Sequence, residues 1–186
     1  MKTYKDYSDY FENLAIQHSL IPHTVNNKKA FSRINIEEAI TGFRTAISEK
    51  SIIMILTNYL YRVIEGGGND RMKAIDMSFF IVGYHKPNDF DAETTVRNQC
   101  EKIVDDIISR IRFESETQTA DSNSFWYNSQ SRIKDWVVNP VSNVGDINNA
   151  GYQVSFSFHV PFNSCVDTNI WQDLSPTSVA PKNWTT

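Results

Sequence analysis

The residues with the clearest chemical potential lie in the stretch HKPNDFDAETTVRNQCEKIVDD, residues 85–106. A histidine, His85, precedes three acidic side chains that stand at alternate positions, Asp89, Asp91 and Glu93. Carboxylates at alternate positions bind calcium in EF-hand loops, and a histidine beside them can serve as a general base. The same residues also fit the start of a helix, because acidic side chains cap the free N–H groups of a first turn.

The detailed spacing favours the start of a helix over a metal site. An EF-hand loop needs glycine at its sixth position and glutamate at its twelfth, where this chain has Thr94 and Cys100. The stretch also runs directly into the most regular amphipathic pattern of the chain, residues 91–113. We therefore predict that the acidic residues cap a helix and that no metal binds there.

Other catalytic patterns are missing from the sequence. It contains no G-x-S-x-G elbow for a serine nucleophile, and the glycine-rich EGGGND lacks the Lys-Ser or Lys-Thr of a phosphate loop. His18 and His23 are five residues apart, which does not place two ligands on one helical face, and His159 stands alone. We predict no catalysis and no cofactor. An enzyme whose site is assembled from distant residues remains an open alternative.

The composition is typical of a folded protein that is not embedded in a membrane. Of the 186 residues, 40% are hydrophobic and 22% charged, and the formal net charge is −4. Because phosphate contacts supply most non-specific DNA affinity, that charge makes such binding a poor default, and we expect no sequence-specific binding of nucleic acid either. A local basic patch within the acidic total stays an open alternative. No apolar run approaches the roughly 20 residues that span a bilayer, and the first residues lack a signal-peptide pattern. We therefore expect no membrane partner and a protein made in a cytoplasm.

Hydrophobic periodicity divides the chain into helices and strands. Residues 91–113 carry apolar side chains three and four apart, with Cys100 on that stripe as a buried free thiol, and residues 151–160 alternate apolar and polar side chains. Residues 51–64 and 73–84 read as buried strands, joined by EGGGNDRM into a hairpin with a long tip. The other predicted elements are a helix over 4–20, a helical or mixed segment over 33–49 and a strand over 132–139.

This order predicts an α+β fold. We expect a largely antiparallel β-sheet with a long amphipathic helix packed on one face, an N-terminal helix and an irregular C-terminal tail. Residues 1–162 would form a single domain. Residues 163–186 would form an extended tail, because they contain two prolines and no clean periodicity.

The order of a helix, a long-tipped hairpin, an amphipathic helix and two strands is similar to that of the tail terminator (tail-completion) proteins of long-tailed bacteriophages. The segments FSRINIEEAITGFR, FFIVGYHKPNDFDAE and NNAGYQVSFSF also resemble uncharacterised proteins of phages and prophages from Bacteroides-type bacteria. The resemblance covers about residues 5–162, and the tail after Pro161 departs from it. It implies a virion protein of the neck or tail, assembled in the host cytoplasm, that forms a ring joining the tail to the head side.

Two surfaces are predicted to contact partners, which the resemblance implies are copies of the chain and neighbouring neck, tail-tube or portal-side proteins. They are the hairpin tip and the tail, where tryptophans are typical interface anchors. The predicted contact residues are Gly66, Gly67, Gly68, Arg71, Ile170, Trp171, Leu174 and Trp184. Two alternatives stay open: a simple flexible hairpin, and tryptophans that fold back on their own domain. A monomeric adaptor or inhibitor that binds a protein through its C-terminal tail is the second functional hypothesis.

Overall fold

A computed structural model describes residues 3–26, 30–34, 52–65, 71–118, 124–126, 134–143 and 148–162. Within these residues the chain forms two helices and six strands that belong to one sheet. The elements in chain order are α1 (Tyr4–Gln17), β1 (Phe31–Ile34), β2 (Ile52–Thr57), β3 (Leu60–Glu65), β4 (Arg71–Tyr84), α2 (Phe90–Thr117), β5 (Lys134–Ser142) and β6 (Asn149–Pro161). The predicted α+β class with a largely antiparallel sheet is confirmed.

The long strand β4 organises the sheet, whose order is β1-β2-β4-β6-β5. One edge of β4 pairs with β6 from Met72 to Tyr84. Its other edge is shared, because the C-terminal half pairs with β2 and the N-terminal half pairs with β3. All these pairs are antiparallel, as is β5 with β6, whereas β1 runs parallel to β2.

Both helices lie on one face of this sheet, and the alternation of β6 supplies the core beneath them. Phe156 and Phe158 are buried, and they stand opposite Met77 and Ile75 of β4 in the antiparallel register. Their neighbour Ser157 points to the opposite face and donates a hydrogen bond to Asp76. The period-two pattern predicted for this strand is therefore confirmed.

Helix α2 begins where the acidic residues predicted it. The Asp89 side chain accepts a hydrogen bond from the backbone N–H of Ala92 at 2.9 Å, and Asp91 and Glu93 occupy the first turn. The buried stripe includes Cys100, whose thiol is free. The predictions of an N-cap and of a buried thiol are both confirmed.

Helix α1 is fixed by a capping box and by contacts with α2. Thr3 and Asp6 exchange the two hydrogen bonds of that box. The Tyr10 hydroxyl donates to the buried carboxylate of Glu114 at 2.8 Å and accepts from the Trp126 indole N–H at 3.1 Å. Burial raises the pKa of Tyr10 above its ordinary value. This network ties the N-terminal helix to the end of α2.

The prediction of one buried strand over 51–64 was wrong. β2 is buried, but the strand breaks at Asn58–Tyr59 and β3 beyond the break is mostly exposed. Five residues, from Leu56 to Leu60, stand against four, from Phe79 to Asp76, so the pairing register shifts by one. Such a shift exchanges the two faces of a strand, which a continuous apolar run does not reveal.

Other boundaries also differ from the sequence predictions. The first helix ends at Gln17 rather than at residue 20. Residues 33 and 34 belong to strand β1, so they are not part of a helical segment, and residues 35–49 lie outside the described residues. The predicted tail, residues 163–186, lies outside them as well. Neither described helix is long and apolar enough to cross a membrane.

Candidate interface along the edge strand β3

The predicted contact residues fall mainly beyond the described part of the chain. Gly66, Gly67 and Gly68, and the tail residues Ile170, Trp171, Leu174 and Trp184, lie outside it. Arg71 begins β4 directly opposite Glu65, the last residue of β3. The predicted hairpin thus exists, and its first strand exposes four apolar side chains, more than the two, Val137 and Val138, that β5 exposes.

His85 and Glu93, which lie on either side of the helix cap Asp89, have structural partners. His85 is buried, with its Nδ1 atom 3.0 Å from the Lys86 carbonyl oxygen. The carboxylate of Glu93 accepts a hydrogen bond from Arg97 one turn along α2 at 2.8 Å. Among the described residues, no three or more histidine, cysteine, aspartate or glutamate side chains converge as metal ligands do.

Strand β3 exposes apolar side chains on both of its faces. Leu60 is 69% exposed, Tyr61 52%, Val63 43% and Ile64 39%, and these four residues are called the β3 strip below. Tyr61 and Val63 lie on the face that carries the helices, and Leu60 and Ile64 lie on the other. Isolated exposed apolar residues are common, but a contiguous group indicates an interaction surface.

The backbone of β3 is also available for pairing. Among the described strands, β3 pairs only with β4, so its outer edge faces no strand of that part of the chain. Proteins usually protect such an edge with proline, a bulge or charged side chains. The sequence of β3, LYRVIE, contains no proline and its pairing with β4 is regular, so its charged residues, Arg62 and Glu65, are its protection.

Strand β5, at the opposite side of the sheet, shows the protection that β3 lacks. Its pairing with β6 is irregular between Lys134 and Val137, and Asp135 within that irregularity has a φ of 61°. Pro140 lies two residues before the end of the strand, and Asn143, the residue that follows the strand, has a φ of 52°. A bulge and a proline both oppose the addition of another strand. β3 is therefore the better candidate for strand-to-strand contact.

An aromatic and cationic cluster supports the β3 strip from below. The Lys73 ammonium lies 3.7 Å from the centre of the Tyr61 ring and 5.9 Å from that of Tyr59. Tyr59 contacts the buried ring of Tyr7 edge-on at 5.0 Å, and Tyr4 stacks on it at 5.8 Å. Burial lowers the pKa of Lys73. The cluster connects the strip to the core beneath α1.

The opposite face of β3 carries a charge. The exposed Arg62 guanidinium lies 3.6 Å from the Asp76 carboxylate, which also accepts the hydrogen bond from Ser157. An exposed pair at this distance contributes little to stability. Arg62 is thus positioned in the middle of the strip by a weak contact, which leaves its charge accessible to an acidic partner.

A cleft partly lined by polar groups lies between the two helices. It is lined by Leu14, Gln17, His18, Asp106, Ile107 and Arg110, and its volume is about 160 Å³. The His18 Nε2 atom lies 3.4 Å from the Asp106 carboxylate there. Because small-molecule sites usually enclose roughly 300–1,000 Å³, the cleft is a weaker candidate than the β3 strip.

The sequence did contain a signal for the exposed half of the hairpin. Asn58 interrupts the apolar run, and Arg62 occupies a position that would have to be apolar in a fully buried strand. Both polar residues argue against burial after Thr57.

No protein-family model matches the chain, and no curated protein matches its sequence.

Proposed function

We propose that the chain is a structural subunit that associates with copies of itself through β3. In the form that the phage resemblance implies, it is a tail terminator or head–tail connector subunit whose ring joins the tail to the head side of a virion. The observation that carries the proposal is the β3 strip, four exposed apolar side chains on a regular edge strand that contains no proline and no bulge.

The physical support for association is the apolar surface that pairing would remove from water. Burial of apolar area stabilises by about 25 cal/mol per Å², and an added strand also pairs the backbone groups on the outer edge of β3. The contrast with β5 supports association through one specific edge of the sheet over non-specific hydrophobic association, because the bulge and Pro140 oppose strand pairing at the other edge.

The geometry of the contact decides between a ring and a simple dimer. If β3 pairs with β3 of a second copy, a two-fold axis closes the assembly at two subunits. A ring needs a heterologous contact, in which β3 meets a different surface of the next copy. The proposal is therefore a head-to-tail arrangement with β3 as one of the two contact surfaces.

The test is the molar mass of the full-length protein by light scattering over a range of concentrations. The matched variants are Val63→Lys in the β3 strip and Phe113→Lys on α2, where Phe113 is 59% exposed outside the strip. The wild type and Phe113→Lys are expected to assemble alike. Val63→Lys is expected to assemble only at a roughly tenfold higher protein concentration, which corresponds to a loss of about 1.4 kcal/mol of association free energy per contact. A wild type that stays monomeric, or equal behaviour of the two variants, would contradict the proposal.

A further inference from the structure

The chain leaves the described sheet close to the β3 strip. Strand β6 ends at Pro161, which stands opposite Met72 of β4, and Met72 stands opposite Ile64 of β3. Neighbouring strands are about 4.8 Å apart, so the ends of β6 and β3 lie roughly 10 Å from each other. Residues 163–186 continue from this end of the sheet.

The length of that segment is more than sufficient to cover β3. An extended chain spans roughly 3.3 Å per residue, so residues 163–186 reach on the order of 80 Å. β3 has six residues and is therefore about 20 Å long. The segment can reach β3 of its own copy or β3 of an adjacent one.

The composition of the segment complements the β3 strip. Ile170, Trp171 and Leu174 bring three large apolar side chains within five positions. Asp167 precedes them and Asp173 lies among them. The exposed Arg62 on β3 could pair with either carboxylate, whereas Glu65 at the end of β3 balances the charge of the strand.

We infer that residues 163–186 of one copy add along the outer edge of β3 of the neighbouring copy. This inference rests on the proposed function, because it names the second contact surface that a head-to-tail ring needs. Docking onto β3 of the same copy is within reach of the segment but would not link subunits, so the cross-linking arm below distinguishes the two cases. The contact is strand addition, with backbone pairing along β3 and Trp171 against the apolar strip.

The first arm of the test uses full-length variants of the tail. Trp171→Asp places a charge among the apolar anchors, and Gln172→Asp adds the same charge at the adjacent polar position. We expect Trp171→Asp to raise the concentration at which the protein assembles by roughly tenfold or more, as removal of a buried tryptophan anchor does. Gln172→Asp is expected to change it less than about threefold. Equal effects of the two variants would overturn the inference, with the thermal unfolding midpoint of each variant reported as a check on folding.

The second arm identifies the occupant of the strip directly. A photo-activated phenylalanine analogue replaces Tyr61, and this protein is mixed with an isotopically labelled wild type before irradiation. We expect cross-linked peptides that join position 61 of one copy to residues 163–186 of the differently labelled copy. Cross-links confined to one copy, or between two β3 strands, would overturn the inference.

The two arms also separate this inference from the proposed function. An assembled protein whose cross-links avoid residues 163–186 overturns the inference and leaves self-association standing. A protein that remains monomeric and forms no link between copies overturns the proposed function, and the inference falls with it.

Discussion

The side-chain ammonium of Lys73 lies over the ring of Tyr61, 3.7 Å from its centre. Lys73 is only 5% exposed, whereas Tyr61 is half-exposed and belongs to the β3 strip. A cation over an aromatic face is attracted to the negative face of the ring, and the attraction grows when water is excluded. Tyr61 is therefore held in position before a partner binds, which reduces the ordering cost of an interface.

Replacement of Lys73 by methionine should change how stability depends on pH. Burial lowers the pKa of Lys73 in the folded state, so between that lowered pKa and the ordinary value of 10.5 the unfolded chain binds more protons at this site. The free energy of unfolding therefore gains a term that rises with pH over that range, and Lys73→Met lacks it. Urea unfolding at several pH values measures the difference. Lys102→Met, at an exposed position of α2, is the matched control and should follow the wild type.

The buried thiol of Cys100 should give the opposite dependence at high pH. Burial raises the pKa of Cys100 to about 12 from 9.0. Above pH 9 the unfolded thiol ionises while the folded one stays protonated, so stability falls as the pH rises from 9 toward 12. Between pH 8 and pH 10.5 the wild type should lose about 2 kcal/mol more than Cys100→Ala does. Identical losses, measured by urea unfolding under reducing conditions, would show that the thiol is not protected from ionisation.

Two glycines should not tolerate a methyl group. A Cβ atom at Gly83 would lie 2.8 Å from a Val96 methyl group on α2, so Gly83→Ala should cost about 1–3 kcal/mol. The substitution Val96→Ala should reduce the free energy of unfolding less in the Gly83→Ala variant than in the wild type, because it relieves the clash between the new Cβ atom and the Val96 methyl group. At Gly151 the added Cβ would meet the Ile81 backbone oxygen at 2.0 Å, and the backbone cannot move aside as a side chain can. Gly151→Ala should therefore cost more than Gly83→Ala, as thermal or urea unfolding measures.

Removal of the Tyr10 hydroxyl should loosen the contact between the two helices. Tyr10→Phe leaves Glu114 and the Trp126 indole N–H each without one hydrogen bond in a buried site. Unsatisfied buried polar groups of this kind cost about 1–3 kcal/mol. Tyr4→Phe, at a partly exposed position of the same helix, should change stability by less than about 0.5 kcal/mol. Equal unfolding midpoints for the two variants would contradict this role of Tyr10.

Local sequence was sufficient for the elements whose pattern is unbroken. The stripe through Cys100 and the cap at Asp89 located α2, and the alternation from Tyr152 to Val160 located β6. In these elements each residue's environment follows from its own period, which is 3.6 in a helix and 2 in a strand. The α+β class followed from the same patterns.

The division of β4 between two partners could not be predicted in this way, and the exposure of β3 was indicated only by the polar residues Asn58 and Arg62. The register shift between Leu56 and Leu60 depends on how β4 pairs with both β2 and β3, and that pairing is a long-range property. The exposure of Val63 depends on which strand stands beyond it, and local apolarity carries no information about that neighbour. The candidate interface was therefore expected at the hairpin tip and in the C-terminal tail, whereas the structure exposes apolar residues along the strand that leads to the tip.

Native mass spectrometry of the concentrated full-length protein tests the central claim most directly, because it counts the copies in each assembly. A head-to-tail ring predicts one discrete mass that corresponds to a fixed number of copies greater than two, and its loss in Val63→Lys. A dimer alone, an open series of increasing masses, or a monomer at every concentration would contradict a ring built through β3.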